Sequence, residues 1–178
     1  MRDFIDDGDL QAALAKLFTK SAFRLELLDA YVAANEAEPF GRFLAGKPAD
    51  LAWRRPWQSF VHRSLAAGRT MQRVHVVDEP LNDYLRFELT AVYPASVEAG
   101  EDIRIMLRGA PPHSARDFWL LDDRWVLTLI YQPGGVLTGA DITDERPEIR
   151  RAQQWRDQAL QHAIPLDQYM ARGERRTA

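Results

Sequence analysis

The chain has 178 residues, 46% of them hydrophobic and 28% charged, which is enough for one sizeable core and argues against disorder. Its net charge of −3 disfavours a general nucleic-acid binder, and the absence of Cys excludes disulfides, thiolate metal sites and Cys nucleophiles. The start, MRDFIDDGDL, lacks the basic and apolar regions of a signal peptide, and no apolar run approaches a membrane span, so the expected location is cytoplasmic.

The first third reads as helical. Leu10, Leu14, Leu17 and Phe18 share one face of a helix over 9–18 that Asp9 can cap. Ser21 can cap a second helix, striped by Leu25, Leu28 and Val32. In EPFGRFLAGKP, Pro39 suits a first helical turn, and Gly46 with Pro48 stops the helix. Trp57, Phe60, Val61 and Leu65 keep helical spacing up to Gly68.

The pattern changes at Met71. Val74–Val77 is a β-favouring run, and Asp78 or Glu79 can cap a helix begun by Pro80 and carried through Leu81, Leu85, Leu89 and Val92. Ile103, Ile105 and Leu107 alternate with Arg104, Met106 and Arg108, predicting a half-exposed strand over Asp102–Arg108 with a basic edge. DFWLL and WVLTLIY predict a hairpin turning at Asp122–Arg124, and Pro133-Gly134-Gly135 predicts the next turn. A last helix begins near Asp144 and aligns Ile149, Ala152, Trp155, Ala159 and Ala163; the tail after Met170 is polar and expected to fray. The expectation is mixed α/β: a helical region over 1–68, then a β-α-β-β-β-α layer over 69–170 packed with it as one domain, then the tail 171–178. A parallel pair with a right-handed crossover, extended by an antiparallel hairpin, fits this order.

No complete catalytic signature is present. His62, His75, His113 and His162 show no metal-ligand spacing, and no GxSxG, P-loop or GxGxxG occurs, so no metal or cofactor is expected. His75 lies in an apolar strand, where a satisfied buried imidazole accounts for it, and His113 lies in a Pro-rich loop expected to be exposed. The carboxylates of DEPLND and Asp122-Asp123 fit helix capping and turn chemistry as well as cation or proton binding. On the helix over 80–93, Tyr84, Arg86 and Glu88 fit a solvated face with local ion pairs. The functional alternative is a polar surface above the sheet, joined by Arg73, His75, Arg104 and Arg108, that holds an anionic small ligand or an acidic partner helix. Trp53, Arg54, Arg55 and Trp57 form an Arg/aromatic group able to stack on a partner or to pack a junction.

Several strings, SAFRLELLDAY, FLAG, AAGRTMQRVHVVDEPLNDYLRFEL, AGEDIR, DFWLLDD and AIPLDQY, carry a resemblance across nearly the whole chain. They resemble an uncharacterised actinobacterial domain-of-unknown-function family whose members are often encoded beside helix-turn-helix regulators. That resemblance implies a non-enzymatic regulatory module with such a regulator as protein partner. From Ala66 to Ala163, the element order also resembles one half of a phospholipase-D-like domain. Active members of that group need HxKxxxxD, in which the His attacks phosphorus and the Lys stabilises the phosphoryl oxygens. Counting back from Asp122 puts Ala115 at the His position and Asp117 at the Lys position, which implies a catalytically dead version. The rival reading is a phosphate-ester hydrolase or transferase using His75, Glu88, Asp117 and Asp122. Direct DNA binding is disfavoured by charge and by the lack of a readable recognition helix.

Overall fold

The computed structural model describes residues 2–109, 114 and 116–177. The elements in chain order are β1 (Arg2–Asp6), α1 (Asp7–Leu17), β2 (Ser21–Glu26), α2 (Ala37–Leu44), α3 (Arg55–Ala66) and β3 (Thr70–Val77). There follow α4 (Asp83–Phe87), α5 (Tyr93–Glu98), β4 (Asp102–Leu107), β5 (Phe118–Leu121), β6 (Trp125–Tyr131) and β7 (Leu137–Thr143). The last are α6 (Arg146–His162), β8 (Ile164–Pro165) and α7 (Leu166–Thr177). A 3₁₀ turn, Ala52–Arg54, precedes α3, and a π-helical segment, Glu88–Val92, joins α4 to α5.

The fold is mixed α/β. Eight strands form one sheet in the order β1-β7-β6-β5-β2-β3-β4-β8. β3 is parallel to both β2 and β4, and the other pairings are antiparallel. The predicted parallel pair with its helical crossover and the predicted β5–β6 hairpin are both present. Of the helices expected in the first third, α1, α2 and α3 are present and the second, from Ser21, is not. Ser21 opens a central strand instead of capping a helix, because period two sends Phe23 and Leu25 to one face and Ala22, Arg24 and Glu26 to the other. β1 and β7 are further strands, paired with each other from Arg2↔Thr143 to Asp6↔Gly139. The first 68 residues therefore supply two strands, β1 and β2, to the common sheet as well as helices.

Caps shift too. Asp6, not Asp9, caps α1 by accepting the Asp9 N–H at 3.1 Å. Asn82, not Asp78 or Glu79, caps α4 by accepting the Leu85 N–H at 2.8 Å, so the helix starts after Pro80. The tail expected to fray continues α7 to Thr177.

One sheet face, with Phe23, Leu25, Val74, Val76 and Leu120, is covered by Ala152 and Ala159 of α6 and by Ala163 just after it, whose small side chains allow close approach. The opposite face carries two apolar clusters. Leu10 and Leu14 of α1 and Val61 of α3 cover the β5–β6 half, while Leu85, Phe87, Val92 and Tyr93 cover Ile103 and Ile105 of β4. Arg24, Glu26, Arg73 and His75 lie buried on the strands between them.

Asp122 and Asp123 both adopt left-handed backbone, φ 55° and 52°, and the Arg124 N–H closes the turn onto the Leu121 carbonyl at 2.9 Å. Gly135, at φ 89°, ends the next turn against the segment after β2, where the Val32 N–H donates to the Gly135 carbonyl at 3.0 Å. A Cβ on Gly135 would sit 2.6 Å from the Ala30 carbonyl oxygen. Gly135→Ala is therefore expected to cost about 1–3 kcal/mol by urea denaturation, from backbone strain and lost seating of residues 30–32.

Candidate functional site

Parallel register sets Arg24 beside Arg73 and Glu26 beside His75, all on one sheet face. Their charges alternate along a buried chain. Arg24 Nη2 donates to Asp117 Oδ2 at 3.2 Å and Arg24 Nε to Glu26 Oε1 at 3.4 Å. Arg73 Nη1 donates to the same Glu26 oxygen at 2.7 Å, and Arg73 Nε to Glu101 Oε1 at 2.7 Å. Asp117, Arg24, Glu26, Arg73 and Glu101 are all buried.

Neutral groups take up most of the remaining lone pairs and protons, Arg24 Nη1 being buried with no hydrogen-bond partner among the described residues. Asp117 accepts the Leu27 N–H at 3.0 Å and the Tyr31 hydroxyl at 2.6 Å, and Arg24 Nη2 also reaches the Tyr131 hydroxyl at 2.9 Å. Glu101 accepts Trp57 Nε1–H at 3.1 Å. Tyr93 donates to Glu26 Oε2 at 2.8 Å and lies 2.6 Å from His75 Nδ1, while His75 Nε2 lies 2.9 Å from the Leu28 carbonyl. Burial works to raise the Glu26 pKa, but the Arg73 and Arg24 guanidiniums hold it well below the usual carboxylate range. Asp117 is raised by burial, with Arg24 and the Tyr31 hydroxyl opposing.

A second polar group adjoins this chain. Tyr84 donates to Glu36 at 2.9 Å, and the Arg54 guanidinium lies over the Trp53 and Trp57 rings at 5.1 and 6.0 Å while donating to Ser96 Oγ at 2.9 Å. Glu88 is buried at the start of the π-helical segment, and its Oε1 has no hydrogen-bond partner among the described residues. Burial, with Glu36 and Glu26 nearby, pushes its carboxyl up to about 8. A π-segment carrying a neutral buried acid is a frequent mark of a functional site.

Of the residues singled out in the sequence, Arg73, His75, Tyr84, Glu88, Arg54 and Trp57 converge on this interior, with Trp53 half-buried beside Arg54. Arg55 and Arg86 do not: both are exposed, and Arg86 pairs with Asp83. The open polar surface expected on the helix over 80–93 is thus corrected, because α4 packs Tyr84 inward against Phe40 and Phe87. Arg104 pairs with Asp102, and Arg108 with Asp78 and Asp29, away from the cluster. Asp122 lies at the opposite end of β2 from Glu26. Despite partial burial, the Thr19 hydroxyl and the N–H groups of Lys20, Ser21 and Thr19, all donating to its carboxylate, hold it below its ordinary value and give it a turn-holding role. His113 and Ala115 lie outside the described residues.

Arg24, Glu26, Tyr31, Tyr93, Glu101 and Tyr131 were not anticipated. A signal existed for two of them: FRLEL and RVHV each place two ionisable residues two apart inside an apolar run, the spacing of one strand face. Beside Asp117, a cleft of about 340 Å³ is lined by Leu27, Leu28, Arg116, Leu129, Ile130 and Tyr131. Among the described residues, no group of three His, Asp or Glu side chains could hold a metal ion, and no helix is long and apolar enough to cross a membrane.

The family model described as a domain of unknown function, DUF6879, matches residues 9–171. The chain belongs to the DUF6879 family. No curated protein matches the sequence. Among solved structures, the DUF6879 chain is similar to Nuc from Salmonella typhimurium, a phospholipase D family member, with a TM-score of 0.55 and 7% identity over 93% of this chain and 97% of that one. NucT from Helicobacter pylori aligns with a TM-score of 0.47 and 11% identity over 93% of this chain and 98% of that one. The likeness to Nuc is one of fold, and the sheet of the DUF6879 chain is phospholipase-D-like.

Two outcomes follow from the charges of the DUF6879 chain. Glu26→Gln leaves two buried guanidiniums short of a counter-charge and is expected to cost about 3–5 kcal/mol by urea denaturation. Glu88 acts in the opposite sense. Between its ordinary 4.5 and about 8, the unfolded carboxyl ionises while the folded one stays protonated, so wild-type stability falls as pH rises through that window. The slope from this group is up to about 1.4 kcal/mol per pH unit. Glu88→Gln is expected to flatten it, and identical pH dependence in the two proteins would contradict the assignment.

Proposed function

We propose that this DUF6879 chain is a non-enzymatic, cytoplasmic regulatory module that binds a protein partner on a phospholipase-D-like framework stripped of its phosphodiester chemistry. The observation that carries the reading is Asp117. By its resemblance to the active pattern, this position belongs to a lysine that stabilises phosphoryl oxygens, and a carboxylate there repels them. Asp117 is also fully committed, accepting from Arg24, Tyr31 and the Leu27 N–H. His75 is engaged at both ring nitrogens and buried, which leaves no lone pair for attack on phosphorus.

The proposed partner, from the family resemblance, is a helix-turn-helix regulator, with an anionic small molecule as a proposed ligand. Arg55 and Arg86 are the two originally singled-out residues exposed enough to meet either one. A regulator co-expressed with this chain is expected to co-migrate with it on gel filtration at micromolar concentration, and a combined Arg55→Glu, Arg86→Glu variant to weaken the complex about tenfold, or 1.4 kcal/mol. Independent migration of the two wild-type proteins removes the partner reading.

The second reading, a phosphate-ester hydrolase or transferase with unfamiliar residues, is favoured by Glu88, whose neutral carboxyl has the protonation state of a general acid. Bis(p-nitrophenyl) phosphate and p-nitrophenyl phosphate separate the two. No turnover is expected, whereas turnover lost in Glu88→Gln would establish the enzyme and overturn the non-enzymatic assignment.

A further inference from the structure

Three consecutive contacts run through Tyr93. The Leu28 carbonyl lies 2.9 Å from His75 Nε2, His75 Nδ1 lies 2.6 Å from the Tyr93 hydroxyl, and that hydroxyl lies 2.8 Å from Glu26 Oε2. Polar contacts this short each need one hydrogen between the heavy atoms. The carbonyl can only accept, so Nε2 carries a hydrogen. Tyr93 supplies one more. A neutral imidazole has then no hydrogen left for Nδ1, and an ionised Glu26 has none, so three contacts would share two hydrogens. One pair of lone pairs would be pressed together in a site that excludes water.

We infer that the Glu26–Tyr93–His75 chain holds one extra proton, seated on Nδ1 of His75, so that a buried imidazolium donates to Tyr93 and Tyr93 donates to Glu26. The proton belongs on the ring because Glu26 already accepts from Arg73 at 2.7 Å and Arg24 at 3.4 Å, which favours its charged form. Charge balance agrees. Asp117, Glu26 and Glu101 face two guanidiniums, Arg24 and Arg73, and an imidazolium closes the deficit. The groups around the ring are Arg24 and Glu26 on β2, Arg73 on β3, Tyr31 in the following segment, Tyr93 on α5, and Asp117 before β5. Burial, joined by the Arg73 guanidinium, opposes a charge on the ring and pulls its pKa down, while Glu26, the Leu28 carbonyl and Asp117 favour the charge; the hydrogen count decides for it.

The result is a proton-dependent fastening. Tyr93 is on α5, whereas Glu26 and His75 are on the sheet, so removing the proton leaves one bond of the chain unmade and loosens α5 beside Glu88. The fastening is complete at low pH and is lost as pH rises through the titration of the chain. It stands whether or not a partner binds.

Long-range ¹H–¹⁵N spectra of the full chain labelled at histidine test this directly. Both His75 nitrogens are expected to carry hydrogen at neutral pH. A single protonated nitrogen at His75 at neutral pH overturns the inference. Tyr93→Phe removes the bridging oxygen and keeps the ring, so His75 in that variant is expected to become a neutral tautomer at neutral pH while His62 and His162 are unmoved. A doubly protonated His75 in Tyr93→Phe would also overturn it. If the variant fails to fold, the wild-type spectrum alone decides.

Discussion

The middle of the sheet depends on one row of opposite charges, Asp117–Arg24–Glu26–Arg73–Glu101, buried where an apolar core would cost less to build. Each ion taken out of water costs several kcal/mol, and the row offsets this only because nearly every lone pair and N–H finds a partner. Tyr31, Tyr93, Tyr131, Trp57 and the Leu27 amide supply the neutral half of that saturation. The row also fixes register. A one-residue slip of β2 would turn Arg24 and Glu26 into the apolar cluster that α6 covers with alanines.

The framework shared with Nuc at 7% identity is shared as a fold. The sheet supplies strand ends at defined positions, and the few polar side chains placed there decide what happens. Tyr31 contacts the rings of His75, Tyr84 and Tyr131 at 5.9, 6.4 and 5.5 Å, so aromatic surface covers the ions.

Much of the layer order was legible in the residues. β3 shows as an unbroken β-favouring run, α6 as a stripe of alanines with Ile149 and Trp155, and the β5–β6 turn as paired aspartates. β2 was not legible for a physical reason. Its two charged residues are buried, so hydrophobic alternation disappears, and Leu25, Leu28 and Val32 fall at helical spacing by coincidence. β7 hides because Gly139 and Asp141 are poor strand formers, and pairing with β6 and β1 makes it a strand. At the site, Arg73 and His75 were readable from their place in an apolar strand. Tyr84 and Glu88 were placed outward because charge at i, i+4 resembles a solvated face, and only the packing of α2 and α5 reveals the inversion.

The pairing of β1 with β7 has a consequence for how the chain is made. Arg2 finds its partner only at Thr143, and β5 must pair with β2 across more than half the chain. During synthesis, the early strands wait with unpaired edges, and the ions of β2 stay hydrated until the late strands emerge. Such long-range closure is slow to nucleate, so the sheet closes only once β5, β6 and β7 are available and not progressively along the chain.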